Sequence, residues 1–252
     1  MTNFKLKLWL TLAIIGLTGV ASLLLSDLPL ANLPAEVKEK IPLETLRFLI
    51  LINPTILLLV ATAIGTNLYD KVNLSVPLFQ KLLDKRDKTF FDSKGILLQG
   101  FVLGVLAGVA IVGVAYFFKP FLPKVLLESN ANVKLSLITK LLYGGITEEL
   151  LCRFGLMTLF VWLLFKISRR LNTAVYWIAI VLSAIVFALG HLPLVFQLTT
   201  DVSFPVYAYI ILANSLGGLF FGYAYWKRGL ECAFVAHAFA HLAMVGLSLV
   251  GA

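Results

Sequence analysis

The stretch "GILLQGFVLGVLAGVAIVGVAYFF", Gly95–Phe118, contains no charged side chain. As a helix rising 1.5 Å per residue it reaches across a hydrocarbon core ~30 Å thick. It lacks the period-two alternation of a barrel strand, so a helix is the form that satisfies its backbone in lipid. Outward from it lie further apolar runs: Leu8–Leu25, Phe48–Leu68, Thr173–Gly190, Val202–Trp226 and Cys232–Ala252, the last broken only by two histidines. Over 252 residues the chain is 60% hydrophobic and 13% charged, where soluble domains carry about 25% charge. The chain therefore reads as all-α, a polytopic transmembrane helix bundle integral to the lipid bilayer.

The net charge of +8 does not indicate nucleic acid. Its Lys and Arg residues lie between the apolar runs, as topology signals and headgroup anchors, and form no basic stripe. The N-terminus, the loop Tyr69–Gly95, "KISRRLN" and "WKRG" are basic, whereas "LPLVFQLTTDVSFP" (Leu192–Pro205) has no cation. With the basic segments in the cytoplasm the runs alternate consistently if Val133–Ile167 crosses once, and the N-terminus is then cytoplasmic. Lys38, Lys40, Lys119 and Lys124 fall in the opposite loops. The first run is longer than a signal-peptide core and no small-x-small site closes it, so it reads as a retained helix. Cys152 and Cys232 make no disulfide framework and suit small packing positions. Within the long basic loop, Leu78, Phe79, Leu82 and Leu83 share a helical face, which fits a short interfacial helix or a solvated loop. Asn53-Pro54 marks a kink or hinge in the second run.

Val133–Ile167 is unusual. As one helix it would be ~52 Å long, so it must overhang, tilt or break, with Gly155 as the weak point. In its middle, "GGITEELLCRFG" (Gly144–Gly155) carries Glu148, Glu149 and Arg153. Residues four apart share a helix face, so Arg153 pairs with Glu149 and leaves Glu148 turned elsewhere. Intramembrane ionisable residues are functional by default, although a cluster that only fixes packing is the plain alternative. The chain has three histidines, and each lies in or at the end of an apolar run. His191 closes the fifth run, while His237 and His241 are four apart in the last.

Two chemistries fit this set. His237 and His241 have zinc-chelating spacing, with Glu148 or His191 completing a metal site, although HExxH itself is absent. The nearest carboxylate in sequence, Glu231, falls off their helical face, which leaves no evident partner to orient them. Alternatively, Glu148 and His191 activate a water while His237 and His241 donate to the oxyanion, with no cofactor. The second is favoured. Gly218 and Gly222 form a GxxxG packing step, and Asn214, one turn before, is a weaker cavity candidate.

"EELLCR" fits EExxxR, "FALGH" fits FxxxH and "HAFAH" fits a last-span HxxxN/H motif, with the Gly-rich "GLFFGYAYWKRGLECAFVAH" between the last two. In order and spacing this set resembles the CPBP family, the CAAX-protease and bacteriocin-processing (Abi) intramembrane endopeptidases, over roughly Leu137–Gly251. The resemblance implies seven to eight helices around a conical, water-accessible cavity. It also implies that Glu148 and His191 position water, that His237 and His241 polarise the scissile carbonyl, and that Glu149 and Arg153 support them. Family members often carry Asn where this chain has His241. Residues 1–132 then supply spans and the basic loop, and 133–252 the catalytic core, within one integrated membrane domain. The expected partner is a membrane-tethered protein or peptide substrate. A proton-coupled transporter and a non-catalytic scaffold are the alternatives, and the oligomeric state is left open.

Overall fold

The computed structural model describes residues 3–26, 40–84, 91–124, 126, 135–199 and 202–250. Among these, seven helices are long and apolar enough to cross a membrane, and no strand occurs. In chain order the spans are Asn3–Leu25, Leu43–Val72, Ser93–Phe121, Leu137–Ser168, Thr173–Leu198, Phe204–Arg228 and Leu230–Leu249. The polytopic helical bundle expected from composition is therefore present.

Two ion pairs fix which helix ends lie together. Lys5 bridges Asp70 at 2.7 Å, and Arg228 bridges Asp92 at 2.9 Å. One end of the bundle thus gathers the start of the first span, the end of the second, the start of the third and the end of the sixth. Glu231, nearly buried at the start of the seventh span, accepts from the backbone N–H groups of Leu78 and Phe79 at 2.8 and 3.1 Å. These begin a short helix, Pro77–Leu83. The reading of a helix in the basic loop holds for that part, and residues 85–90 lie outside the described set. Glu231 is spent on this contact, consistent with its position off the His237–His241 face.

The second span is interrupted as Pro54 suggested. Helix Leu43–Leu49 ends, and Ile52–Leu68 begins after the turn at Ile50 and Leu51. Pro54 then sits in the first turn of a helix, where its missing N–H costs least.

The fourth span departs from expectation in a different way. It does not break at Gly155. The helix runs on to Ser168, but its middle, Lys140–Glu148 and Leu150–Met157, is wound as a π-helix. Gly155 serves packing, because a Cβ there would lie 2.5 Å from the Cβ of Ala61 on the second span. The first span holds the other side of this stretch. Thr147 donates to the Gly16 carbonyl at 2.8 Å, and Thr139 donates to the Ser22 carbonyl at 2.7 Å. Interhelical hydroxyl bonds of this kind lock helices that the hydrophobic effect cannot drive together in lipid.

The third and seventh spans meet along Gly100, Gly104 and Gly108, a small-residue stripe with a four-residue repeat. A Cβ at Gly104 would lie 2.8 Å from that of Phe239 and would crowd the Ala236 carbonyl. Leu97, Leu98, Val102 and Leu106 of the same span point outward, exposed, as lipid-facing residues do. Gly218 and Gly222 likewise bring the sixth span against Ala184 and Ile180 of the fifth. This agrees with their reading as packing residues.

Since overpacking of this kind costs about 1–3 kcal/mol, Gly104→Val should lower the melting temperature in detergent. Gly113 meets no heavy atom within 4 Å, so Gly113→Ala in the same span should leave it unchanged or slightly raised. Equal melting of the two variants would show that the stripe does not hold the seventh span.

Candidate active site

A cavity of about 420 Å³ lies between the fourth, fifth, sixth and seventh spans, and Glu148, His191, His237 and His241 all line it. Four residues from three spans, expected to serve one centre, therefore share one space. Its lining also includes Leu23, Leu135, Lys140 and Met244, which lie towards the ends of their spans away from the two ion pairs. The mouth thus opens at the end of the bundle opposite the Lys5–Asp70 and Arg228–Asp92 pairs.

Glu149 and Arg153 are fully buried, with Nε 3.3 Å from Oε2. The pairing read from the i, i+4 spacing is present. The guanidinium makes no well-aligned hydrogen bond to a protein group. It lies instead against the ring faces of Phe187 and Phe221, 5.0 and 5.4 Å from their centroids. Such cation–π contacts stabilise a desolvated Arg. Burying the pair leaves Glu148, with its side chain 20% exposed, to face the cavity.

The second oxygen of Glu149 has a further role. Oε1 lies 2.8 Å from Nδ1 of His237. The search for a carboxylate near the histidine pair in sequence found only Glu231, yet the partner comes from another helix, 88 residues away. With Glu149 as the carboxylate facing Arg153, Nδ1 carries the proton and donates it to Oε1. The neutral ring then presents a lone pair at Nε2, and this atom is 3.9 Å from Oε2 of Glu148. That gap exceeds a direct hydrogen bond and suits a shared third atom. The His237 ring is clamped between Phe221, stacked at 4.3 Å, and His241, stacked at 4.9 Å.

His191 is set by a helix break. Pro193 cannot continue the hydrogen-bond ladder, and the backbone N–H of His191 turns to the Ala188 carbonyl. The Phe187 carbonyl accepts instead from the imidazole Nδ1 at 2.9 Å. A carbonyl only accepts, so Nδ1 is protonated and Nε2 is the acceptor. Asn214 also lines the cavity, with its Nδ2 donating to the Ile210 carbonyl at 2.9 Å.

The arrangement fits a metal poorly. The His237 and His241 rings lie within 18° of parallel, one over the other. A zinc ion would need an in-plane lone pair from each ring to meet it ~2.0–2.1 Å away, which stacked rings do not favour. Among the described residues no three His, Cys, Asp or Glu side chains cluster as a ligand set.

Sequence reasoning missed three contributors. Phe187 and Phe221 wall both Arg153 and His237. Phe187 opens the FxxxH motif, but the motif does not say that it packs on Arg153, and Phe221 carries no signal that separates it from lipid-facing aromatics. Gly144 gives room to His241, because a Cβ there would lie 2.5 Å from its Nε2. The Gly144-Gly145 pair beside the acids was the available hint.

Removing one partner of a buried ion pair costs about 3–5 kcal/mol. Arg153→Ala should therefore lower folded yield and melting temperature, whereas Glu148→Gln, at a cavity-facing site, should spare both. Equal thermal stability of the two in detergent would contradict this division between buried and exposed acid.

Comparison with known proteins bears on the same region. No individually curated protein and no solved structure matches the chain. Residues 130–243 match the family model described as type II CAAX prenyl endopeptidase Rce1-like. That interval contains all six site residues, so the likeness to the CAAX-type endopeptidases falls on the part of the chain that builds the site.

Proposed function

We propose that the protein hydrolyses a peptide bond of a membrane-tethered protein or peptide, using a water activated by Glu148 and oriented by His191. The observation that carries this reading is the unequal placing of two adjacent acids. Glu149 is consumed by Arg153 and His237, while Glu148 faces the cavity with an imidazole acceptor near it.

In this mechanism Glu148 takes a proton from water as its oxygen attacks the scissile carbonyl carbon. His191, whose Nε2 is the acceptor, holds the same water by its second hydrogen. His237 receives the proton at Nε2, and the imidazolium so formed is stabilised by Glu149 across the 2.8 Å contact. That proton passes to the departing amine as the C–N bond breaks, which leaves a carboxyl group and an amine. His241 donates to the oxyanion. The pattern, a base oriented by a buried carboxylate, is the general logic of acid–base hydrolysis.

Orientation is part of the proposal. The end holding Lys5, Lys7, Lys71, Lys94, Arg169, Arg170, Lys227 and Arg228 is the more basic, while the cavity end holds Lys40, Lys119, Lys124 and Lys140. On the positive-inside rule the N-terminus is cytoplasmic and the mouth opens on the other face. A membrane-impermeant maleimide should label Leu135→Cys in intact cells and Lys71→Cys only after lysis. The reverse pattern would invert the orientation.

For the chemistry, the test is cleavage of a membrane-tethered peptide library by protein reconstituted in liposomes, read by mass spectrometry. Glu148→Gln should abolish turnover without loss of folded yield. His241→Asn should keep partial activity, and exhaustive chelation should leave the wild type active. Loss on chelation that one equivalent of zinc restores, together with a dead His241→Asn, would overturn the metal-free mechanism.

A further inference from the structure

An oxyanion is stabilised by preorganised donors, and the cavity has few uncommitted ones. His191 Nδ1 is tied to Phe187 and His237 Nδ1 to Glu149, while Asn214 Nδ2 gives one of its two hydrogens to the Ile210 carbonyl of its own helix. His237 can donate from Nε2 only after it has taken a proton, too late for the attacking step. His241 remains, with the second Asn214 hydrogen, Lys140 nearer the mouth and Tyr143.

Tyr143 lines the cavity and packs its ring against the core, and among the described residues its hydroxyl has no hydrogen-bond partner. Its register is decisive. In an α-helix, residues five apart point ~140° away from each other, which would set Tyr143 well off the Glu148 face. In the π-wound stretch Lys140–Glu148 the backbone bonds run from i to i+5 and a turn takes about 4.4 residues, so residue 148 lies one turn along and only roughly 50° round from residue 143. Phenol and carboxylate accordingly line the same cavity. Lys140 lies three residues farther towards the mouth.

We propose that Tyr143 is a catalytic residue which donates its phenolic hydrogen to the carbonyl oxygen of the scissile bond as negative charge develops there. The assignment rests on the endopeptidase reading above. It gives the π-winding a purpose, since the wide turn sets the base and an oxyanion donor on one face of a single helix. Tyr143 and His241 then form a two-donor hole, with Glu148 beside it to activate the attacking water. No proton is transferred by Tyr143, which stays a neutral donor throughout.

The test uses the full chain in liposomes with the same tethered-peptide library. Tyr143→Phe removes only the hydroxyl. Loss of one oxyanion donor lowers kcat by about 10²–10³-fold, so a fall of that size is expected, with KM and melting temperature unchanged and the pH profile keeping its shape. Unchanged kcat would overturn the assignment. A displaced pH profile, with full kcat recovered at the new optimum, would also overturn it by making Tyr143 a positioning residue for Glu148. If Phe lowers the melting temperature, fluorinated tyrosines at position 143 keep the shape and change the acidity. The kcat should then vary with that acidity, and invariance would refute the role. A wild type that cleaves nothing while Glu148→Gln folds normally would defeat the endopeptidase reading itself, an outcome distinct from active wild type with active Tyr143→Phe.

Discussion

The site depends on one buried carboxylate with two partners. Glu149 faces Arg153 through one oxygen and His237 through the other, and all three side chains are almost wholly withdrawn from solvent. A carboxylate or guanidinium alone at that depth would be very costly, and each is tolerable because the other neutralises it. The consequence reaches beyond stability. With Nδ1 of His237 fixed on Glu149, the nitrogen left open is Nε2, and its direction is set by a ring held between Phe221 and His241. Orientation of a catalytic imidazole by a carboxylate on its far nitrogen is a general device. Here the ion pair serves as the anchor for that device.

The spans outside residues 130–243 serve the same end. Thr139 and Thr147 fasten the fourth span to the first, and Gly155 seats it against the second. A π-helix is rare and persists where surroundings impose it, and these contacts bracket the π-wound stretch on both sides. The glycine stripe of the third span brings the backbone of the seventh close, beside Ala236 and Ala240. His237 immediately follows the first of these. The N-terminal helices are therefore the walls that hold the acids and the histidines at working distance.

Much of this was legible in the residues. Apolar runs gave the spans, because hydropathy over a bilayer's thickness is a strong signal. The i, i+4 rule gave the Glu149–Arg153 pair, since π and α windings both leave residues four apart as neighbours. What failed was whatever depended on helix phase or on contacts between helices. Gly155 looked like a break because a glycine within a long helix suggests one, but close approach of Ala61 explains it. Tyr143 went unnoticed because α-helical geometry turns it away from Glu148. The partner of His237 was sought along its own helix, whereas the fold supplies it from the fourth span. Sequence periodicity reports which face a residue occupies and is silent on what stands opposite.

The two acids at positions 148 and 149 show how a single residue step divides labour. Both are glutamates with the same intrinsic acidity and the same reach. One is paired with Arg153, itself walled by two phenylalanine rings, and with an imidazole; the other borders a cavity of about 420 Å³. A buried, paired carboxylate cannot accept a water's proton without giving up its partners, so Glu149 is held to orientation. Glu148 has no such ion pair among the described residues, and Nε2 of His237 stands 3.9 Å off. A water or a carbonyl oxygen can occupy that gap and touch both groups. The separation too long for a bond between the side chains is therefore the feature that leaves room for a reaction between them.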